Sequence, residues 1–343
     1  MKGIFMRKVT MQTIADELGI SRVTVWKVFN NHEGVSEALK TAVLKKAEQL
    51  GYLKGIPENS APPEPKNIAL VVSRPESSTY WTSIIHNMAE EFARNNSNLI
   101  YTSIDPIFSD GFNLPVGLRN GSCDLAIVMN VYDAEIVRRI TDIAIPKVFL
   151  DTIPDLTSAD IPGDLILIEG FHTTYNITES VIKSGAKTIG FIGDIHYAWT
   201  NADRFKGFGQ CLLDNNIEIK KEFVMTDRIG IFSYKQTLYD YLDSLPELPD
   251  AFVCASDFIA HFVHFYLTEH PERIPNGIIV TGFDASEEFA NVEGLITTAD
   301  ARIDLLGKRL AQQCLYRIAT PDAPYELTYV RPKIIYRDSK ITV

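Results

Sequence analysis

Seven short apolar runs constrain this chain more than any other feature: 68–72, 125–129, 148–150, 165–168, 189–192, 252–255 and 278–281. They are nearly continuous in apolar residues instead of alternating with polar ones. A strand that is apolar on both faces must be covered on both faces, which is the situation of a strand inside a parallel sheet. Stretches with helical periodicity fill the gaps, at 81–95, 171–184, 202–215, 233–244, 257–269 and 303–318. Strands and helices in alternation build doubly wound α/β layers, and 67–343 is long enough for two such lobes.

The first 66 residues do not share this pattern. Residues 1–55 carry nine Lys/Arg against five Asp/Glu, so the remainder bears a net charge of −15 within a total of −11. A small basic head on a large acidic body is expected where one module meets nucleic acid and the other avoids it. Between them lie Pro57, Pro62, Pro63 and Pro65, which remove amide donors and favour extended backbone, so 54–66 reads as a linker. An apolar fraction of 45% and a charged fraction of 22% exclude wholesale disorder. No apolar run reaches the roughly 18 residues of a membrane span, and no apolar signal core follows Met1. Cys123, Cys211, Cys254 and Cys314 are scattered, without metal-site or disulfide spacing, as in a reducing cytoplasm.

The head reads as three helices. Thr10 suits an N-cap, with Ile14, Ala15 and Leu18 on one apolar face, and Gly19 suits the close of that helix. Ile20 then points inward, and Ser21 caps a second helix running to Phe29. At helical spacing Val25, Val28 and Phe29 share an apolar arc, while Arg22, Val23, Trp26 and Lys27 share the opposite one. A third helix, 36–50, turns Val43, Leu44, Ala47 and Leu50 inward. This is a helix-turn-helix whose second helix fits the DNA major groove. A purely structural three-helix knot does not explain the basic charge or the exposed face.

At this point the chain resembles a known family. Thr13-Ile14-Ala15-Asp16-Glu17-Leu18-Gly19-Ile20-Ser21, Thr24-Val25, Val28-Phe29-Asn30, Val35-Ser36 and Leu50-Gly51-Tyr52 are similar to the head of the lactose-repressor (LacI/GalR) family. Phe149-Leu150-Asp151, Arg204-x-x-Gly207-Phe208, Ala255-Ser256-Asp257, Thr281-Gly282-Phe283-Asp284, Thr297-Thr298 and Leu306-Gly307 follow the order of that family's effector domain. Each match is short; their joint order over most of the chain is specific. The pattern departs at Trp26-Lys27, where the family has Ser-Arg, and at Ser256, where it has Asn. A larger departure follows Tyr52: the family's hinge helix, which wedges a leucine into the minor groove, has no counterpart in Glu58-Asn59-Ser60-Ala61-Pro62-Pro63-Glu64-Pro65.

The resemblance implies an all-α head and an α/β body of two doubly wound parallel-sheet lobes, periplasmic-binding-protein-like. Its domains would be 1–53 for DNA binding, 54–66 as a linker without a hinge helix, and 67–343 for effector binding and dimerisation. Lobe 1 would comprise 67–168 plus 299–325, and lobe 2 would comprise 169–298 plus 326–343. DNA contact is expected from Thr13, Ser21, Arg22, Val23, Thr24, Trp26, Lys27 and Asn30, with Lys40, Lys45 and Lys46 available to phosphates. Effector contact is expected from Tyr80, Trp81, Asp151, Trp199, Thr200, Arg204, Asp257 and Asp284, near strand ends where open α/β sheets bind ligands. Carboxylates and a guanidinium each take two neighbouring hydroxyls, and an aromatic face covers the C–H side of a pyranose, so the expected effector is a sugar.

Other chemistries have less support. His261 and His264 share a helix face without a third ligand, and no nucleophile elbow or phosphate loop occurs. A glycosidase using the acidic residues as a carboxylate pair has no need of a basic head. The expectation is therefore a cytoplasmic, ligand-responsive regulator, most simply a repressor and not an enzyme. It needs no cofactor and binds a pseudo-palindromic operator and a sugar effector. It works as a homodimer without a tetramerising heptad tail, and no membrane partner is expected. The alternative is a sugar-binding module whose head contacts protein.

Overall fold

A computed structural model describes residues 9–29, 34–50, 52, 64–73, 78–230, 233–274 and 276–341. It divides into two units, Met1–Glu64 and Pro65–Val343. The first holds α1 (Met11–Leu18), α2 (Arg22–Phe29) and α3 (Glu37–Gln49). Thr10 caps α1 reciprocally with Thr13: each side-chain oxygen accepts the other's backbone N–H, at 3.3 and 3.2 Å. Gly19 ends α1 at φ 65°, a left-handed conformation that glycine adopts without cost. The Ser21 hydroxyl accepts the Thr24 N–H at 3.0 Å and starts α2. Ile14, Ala15, Val25, Val28, Val43 and Ala47 form the buried core of this unit. Leu44, expected to point inward, is exposed. The buried stripe of α3 runs through Leu39, Val43, Ala47 and Leu50, and Leu44 lies one step round the helix from it. Asn30 and residues 54–63, where a linker without a hinge helix is expected, lie outside the described residues.

The second unit is built on two sheets. In the first, β1 (Lys66–Val72), β2 (Ser97–Ser103), β3 (Leu125–Met129), β4 (Lys147–Leu150), β5 (Asp164–Ile168) and β11 (Leu327–Val330) lie in the order β11-β5-β4-β3-β1-β2. Every pairing in it is parallel. Ile68, Leu70 and Val72 pack toward α4 (Thr79–Arg94) and α11 (Ile303–Ala319) on one face. Ala69 and Val71 pack toward α5 (Val116–Arg119) and α6 (Ala134–Thr141) on the other. Burial on both faces is why these strands read as continuous apolar runs.

The second sheet has the order β13-β9-β8-β6-β7, from β6 (Ile189–Ile192), β7 (Val224–Met225), β8 (Ala251–Cys254), β9 (Ile278–Thr281) and β13 (Lys340–Ile341). It is parallel except for β13, which runs antiparallel to β9. Helices α7 (Phe171–Lys183), α8 (Trp199–Asp214), α9 (Tyr234–Ser244) and α10 (Asp257–Glu269) cover it. A two-stranded piece, β10 (Thr298–Asp300) with β12 (Lys333–Ile335), lies where the chain passes between the sheets.

One boundary differs from expectation. Residues 326–343 were assigned to the second lobe, but β11 extends the first sheet beside β5 and only β13 joins the second. Strand β11 is short and half exposed, so its partner is decided by where α11 delivers the chain. That delivery is fixed by Arg317, at the end of α11, which donates to both oxygens of Asp164 at the start of β5, at 3.0 and 2.6 Å. Both residues are fully buried.

Candidate functional site

Helix α2 presents the head's candidate DNA face. Val23 and Trp26 are exposed on it despite their apolar bulk, at 62% and 44%, and Arg22 and Lys27 are exposed beside them. Large apolar side chains left in water beside cations suit a groove whose floor offers base edges and thymine methyls. Thr13 and Ser21 act locally as caps, and the Thr24 hydroxyl lies 2.8 Å from that of Ser21. Of the lysines expected to reach phosphate, Lys40 pairs with Glu37 at 2.7 Å and Lys46 with Glu17 at 3.4 Å. Lys45 is exposed.

In the body, a cavity of about 410 Å³ opens at the carboxyl ends of the strands. Asn130 follows β3, Asp151 follows β4, Ser256 follows β8 and Asp284 lies three residues past β9, and all four line it. Asn130, Asp151 and Asp284 have positive φ, at 55°, 63° and 108°. Among residues with a side chain, such backbone is tolerated best by Asn and Asp, and here it recurs where strand ends meet a cavity. Tyr80 and Trp81, in the first turn of α4, pack edge to face at 5.2 Å. Thr200 and Arg204 reach the cavity from the first turns of α8.

Arg204 is the buried cation of the site. Its guanidinium stacks 3.6 Å from the Phe283 ring centroid, donates to the Ala255 carbonyl and stands 3.7 Å from Asp284. Its buried Nε has no hydrogen-bond partner among the described residues. Burial pushes the Asp284 carboxyl up to about 7, with Arg204 opposing the rise and Asp257 adding to it. Asp151 is raised by burial to about 6, against hydrogen bonds from the Thr200 hydroxyl and the Thr152 N–H and against the charge of Arg204. Burial likewise holds the phenols of Tyr80 and Tyr132 protonated well beyond their usual range. The wall formed by the described residues therefore offers hydroxyl donors, carboxylate acceptors and one guanidinium.

Six of the eight expected effector residues line the cavity: Tyr80, Trp81, Asp151, Thr200, Arg204 and Asp284. Two do not. Asp257 is raised to about 6 by burial and spends both oxygens on the protein, accepting from the Thr298 hydroxyl at 2.7 Å and the Ser286 N–H at 2.8 Å. It braces the loop that carries Asp284 from below. Gly282 is needed there, because a Cβ would fall 2.0 Å from Asp257 Oδ1. Trp199 turns into the core of the first lobe, and its indole N–H donates to Asp203 at 3.1 Å.

Sequence reasoning missed Asn130, Tyr132, Tyr197, Tyr234, Phe258, Phe289 and Glu288, all on the cavity wall. For Asn130 a signal existed, since it follows the run 125–129 as Asp151 follows 148–150. His261, weighed as a metal ligand, instead packs against the Phe262, Phe265 and Phe289 rings. Among the described residues no three potential ligands gather as a metal group, and no helix is long and apolar enough to cross a membrane.

Comparison with known proteins places these features. Residues 10–54 match the family model "Bacterial regulatory proteins, lacI family", and residues 178–340 match "Periplasmic binding protein-like domain". The chain is 26% identical over 345 aligned positions to the HTH-type transcriptional repressor PurR of Mannheimia succiniciproducens, covering 96% of this chain and 98% of that one. It is 25% identical over 349 positions to the probable HTH-type transcriptional repressor ExuR of Bacillus subtilis, again covering 96% and 98%. Among solved structures, a transcriptional regulator CelR–cellobiose complex superposes with a TM-score of 0.67 at 19% identity, covering 96% of this chain and 99% of that one. The lac repressor dimer bound to operator and the anti-inducer ONPF superposes at 0.64 and 18%, covering 97% and 99%. With the ordered head and body motifs, the two matched models and relatives that align from end to end, the chain belongs to the lactose-repressor (LacI/GalR) family of DNA-binding transcriptional regulators.

Proposed function

We propose that this chain represses transcription from a pseudo-palindromic operator and that a sugar held in the cavity sets its affinity for that operator. The observation that carries the reading is the buried Arg204 guanidinium, short of one partner, facing Asp284 beside aromatic rings. A protein of this size does not bury such a cation at a cavity wall for stability alone. Arg204, Asp151, Asp284 and Thr200 would hold hydroxyls, and Tyr80 and Trp81 would cover a C–H face. Two copies of α2, one from each protomer of a homodimer, would read half-sites through Arg22, Val23, Trp26 and Lys27, with Ser21, Thr24, Thr13 and Asn30 at the backbone. Operator binding puts its work in the cytoplasm, where bacterial DNA lies. No observation favours a head that contacts protein in place of DNA.

The test is selection of DNA sites by the purified chain from a random pool, followed by titration with a panel of sugars. A recovered two-fold site whose affinity falls with salt and changes with one sugar is the expected result. Arg204→Ala should keep the site and lose the response to sugar by on the order of 10–100-fold in sugar affinity. Recovery of no preferred site, or a sugar response that survives Arg204→Ala, would refute the assignment.

A further inference from the structure

A second cavity, of about 350 Å³, lies at the opposite end of the first sheet, where β4 and β5 begin. Its wall comes from the segment 143–147 between α6 and β4, from Pro162 ahead of β5, and from Arg317, Pro321 and Tyr325 around the end of α11. Lys147 sets its chemistry. This lysine is only 3% exposed, and its ammonium donates to the carbonyls of Ile143 and Ile145, the latter at 3.0 Å. An ammonium has three N–H donors, so one is left over. Among the described residues no carboxylate pairs with it directly. Asp142 acts on it at longer range, against the burial that lowers the ammonium from its ordinary 10.5. Two carbonyls solvate the charge of Lys147 but do not neutralise it.

Arg317, the other cation on the wall, is fully spent. Its Nε and Nη2 donate to the two oxygens of Asp164. The carbonyls of Pro321, Ala323 and Pro324 take its remaining N–H groups, at 3.4, 2.6 and 2.9 Å. The helix ends nearby have also used their last carbonyls. That of Ile140 accepts the Ile143 N–H, that of Arg138 the Thr141 hydroxyl, and that of Tyr316 the Thr320 N–H and hydroxyl. Their dipoles therefore do not answer Lys147. The floor is packed without slack, because a Cβ at Gly163 would fall 2.6 Å from the Lys147 carbonyl oxygen. Above it, the Tyr325 ring lies 5.1 Å from the Arg317 guanidinium and is 57% exposed. One unneutralised positive charge thus sits beside Pro146, Pro162, Pro321 and an aromatic ring.

We propose that this cavity is a second ligand site, for a small organic monocarboxylate. The carboxylate accepts the remaining N–H of Lys147, and the apolar body lies against the three prolines and the Tyr325 ring. One ammonium neutralises one carboxylate, whereas a phosphate dianion would stay half uncompensated in a buried place. The volume lies near the lower end of the roughly 300–1,000 Å³ of small-molecule sites, enough for a carboxylate on one ring or one branched chain.

Thermal shift and calorimetry on the full chain test this with benzoate, phenylacetate and isovalerate. Benzamide serves as the uncharged counterpart, and phenyl phosphate and inorganic phosphate serve as dianions. A monocarboxylate should raise the melting temperature and bind on the order of tenfold more tightly than benzamide. Lys147→Gln keeps amide donors for the two carbonyls without the charge and should lose the response; Lys147→Arg restores the charge and should recover part of it. Tyr325→Ala changes an exposed ring, leaves the fold intact, and should weaken benzoate more than isovalerate. Arg204→Ala should leave the response unchanged, since that guanidinium lines the larger cavity. Benzamide that binds as well as benzoate, or a response that survives Lys147→Gln or disappears in Arg204→Ala, overturns the site. Phenyl phosphate that binds more tightly than benzoate overturns the monocarboxylate assignment. Benzoate and isovalerate affinities that stay unchanged in Tyr325→Ala, or silence across the whole panel, overturn the proposal as well.

Discussion

The head and the body use charged and aromatic side chains in opposite ways. On α2, Arg22, Val23, Trp26 and Lys27 are exposed over a core of six buried apolar residues among those described. In the body, Arg204 is 5% exposed and its carboxylate neighbours are pushed toward neutrality by burial. DNA is met by long-range attraction to phosphate, which requires cations that keep their hydration until contact. A small ligand is told from its relatives by desolvated groups that suffer when left unpaired, which requires burial beforehand. One scaffold therefore carries an exposed reader on a thin core and a buried reader on a thick one.

The contrast is open to attack from its strongest side first. Asp164→Ala leaves Arg317 buried without its bidentate partner, so the body should lose about 3–5 kcal/mol of stability. Calorimetry of the full chain should show the body transition move down; an unmoved transition would mean that the pair is not structural. Ile14→Ala empties part of the small head core and should cost that unit about 2–5 kcal/mol. Operator binding should then fail near physiological temperature while sugar binding persists, and joint loss of both would show that the two readers are not separable.

Smaller effects sharpen the comparison. Lys27→Ala should cost about 1–3 kcal/mol in operator affinity and relax the preference at one or two bases per half-site. A uniform loss across sequences, read from a binding-site library, would make Lys27 a phosphate contact. The smallest effect is of pH on the body. Asp151, Asp257 and Asp284 bind protons more tightly when folded, near 6 to 7, than at their ordinary 3.8. The folded state therefore holds more protons between about pH 4 and 7, and stability falls as pH rises through that window. The lowered carboxylates Asp164, Asp250 and Glu169 act the other way, with stability lost as pH falls below their ordinary 3.8 to 4.5. The body should melt lower at pH 8 than at pH 5.5, and Asp284→Asn should flatten the slope; a melting temperature that rises across this range would contradict it.

Much of the fold was legible because its code is local. Strands β3, β6 and β9 and helix α10 begin and end where their apolar runs do, since burial on both faces of a sheet leaves no polar residue inside the run. The head caps were legible for the same reason, because Thr10, Gly19 and Ser21 act on backbone within four residues of themselves. Strand β2 was not, because it lies at the sheet edge with Ser97-Asn98-Leu99-Ile100-Tyr101-Thr102-Ser103 mostly exposed, so its pattern resembles a loop.

The site divides along the same line. Asp151, Asp257 and Asp284 all follow apolar strand runs in family-like motifs, and sequence alone assigns them one role. The structure separates them by partners far along the chain: Asp257 is consumed by Ser286 and Thr298, 29 and 41 residues away, while Asp284 is left to the cavity. Trp199 and Thr200 are neighbours in sequence, yet the first turn of α8 sends one into the lobe core and the other to Asp151. The ring cluster of Tyr234, Phe258 and Phe289 on the cavity wall comes from three separate segments with no shared motif. The sequence by itself determined most of the helices though not α5 or α6, the buried strands, the head's exposed face and the family, because capping, periodicity and burial act over a few residues. Only the tertiary structure decided which carboxylates face a ligand, which ring ends in the core and where β11 pairs, because those depend on contacts the chain makes only after it has folded back across its own sheets.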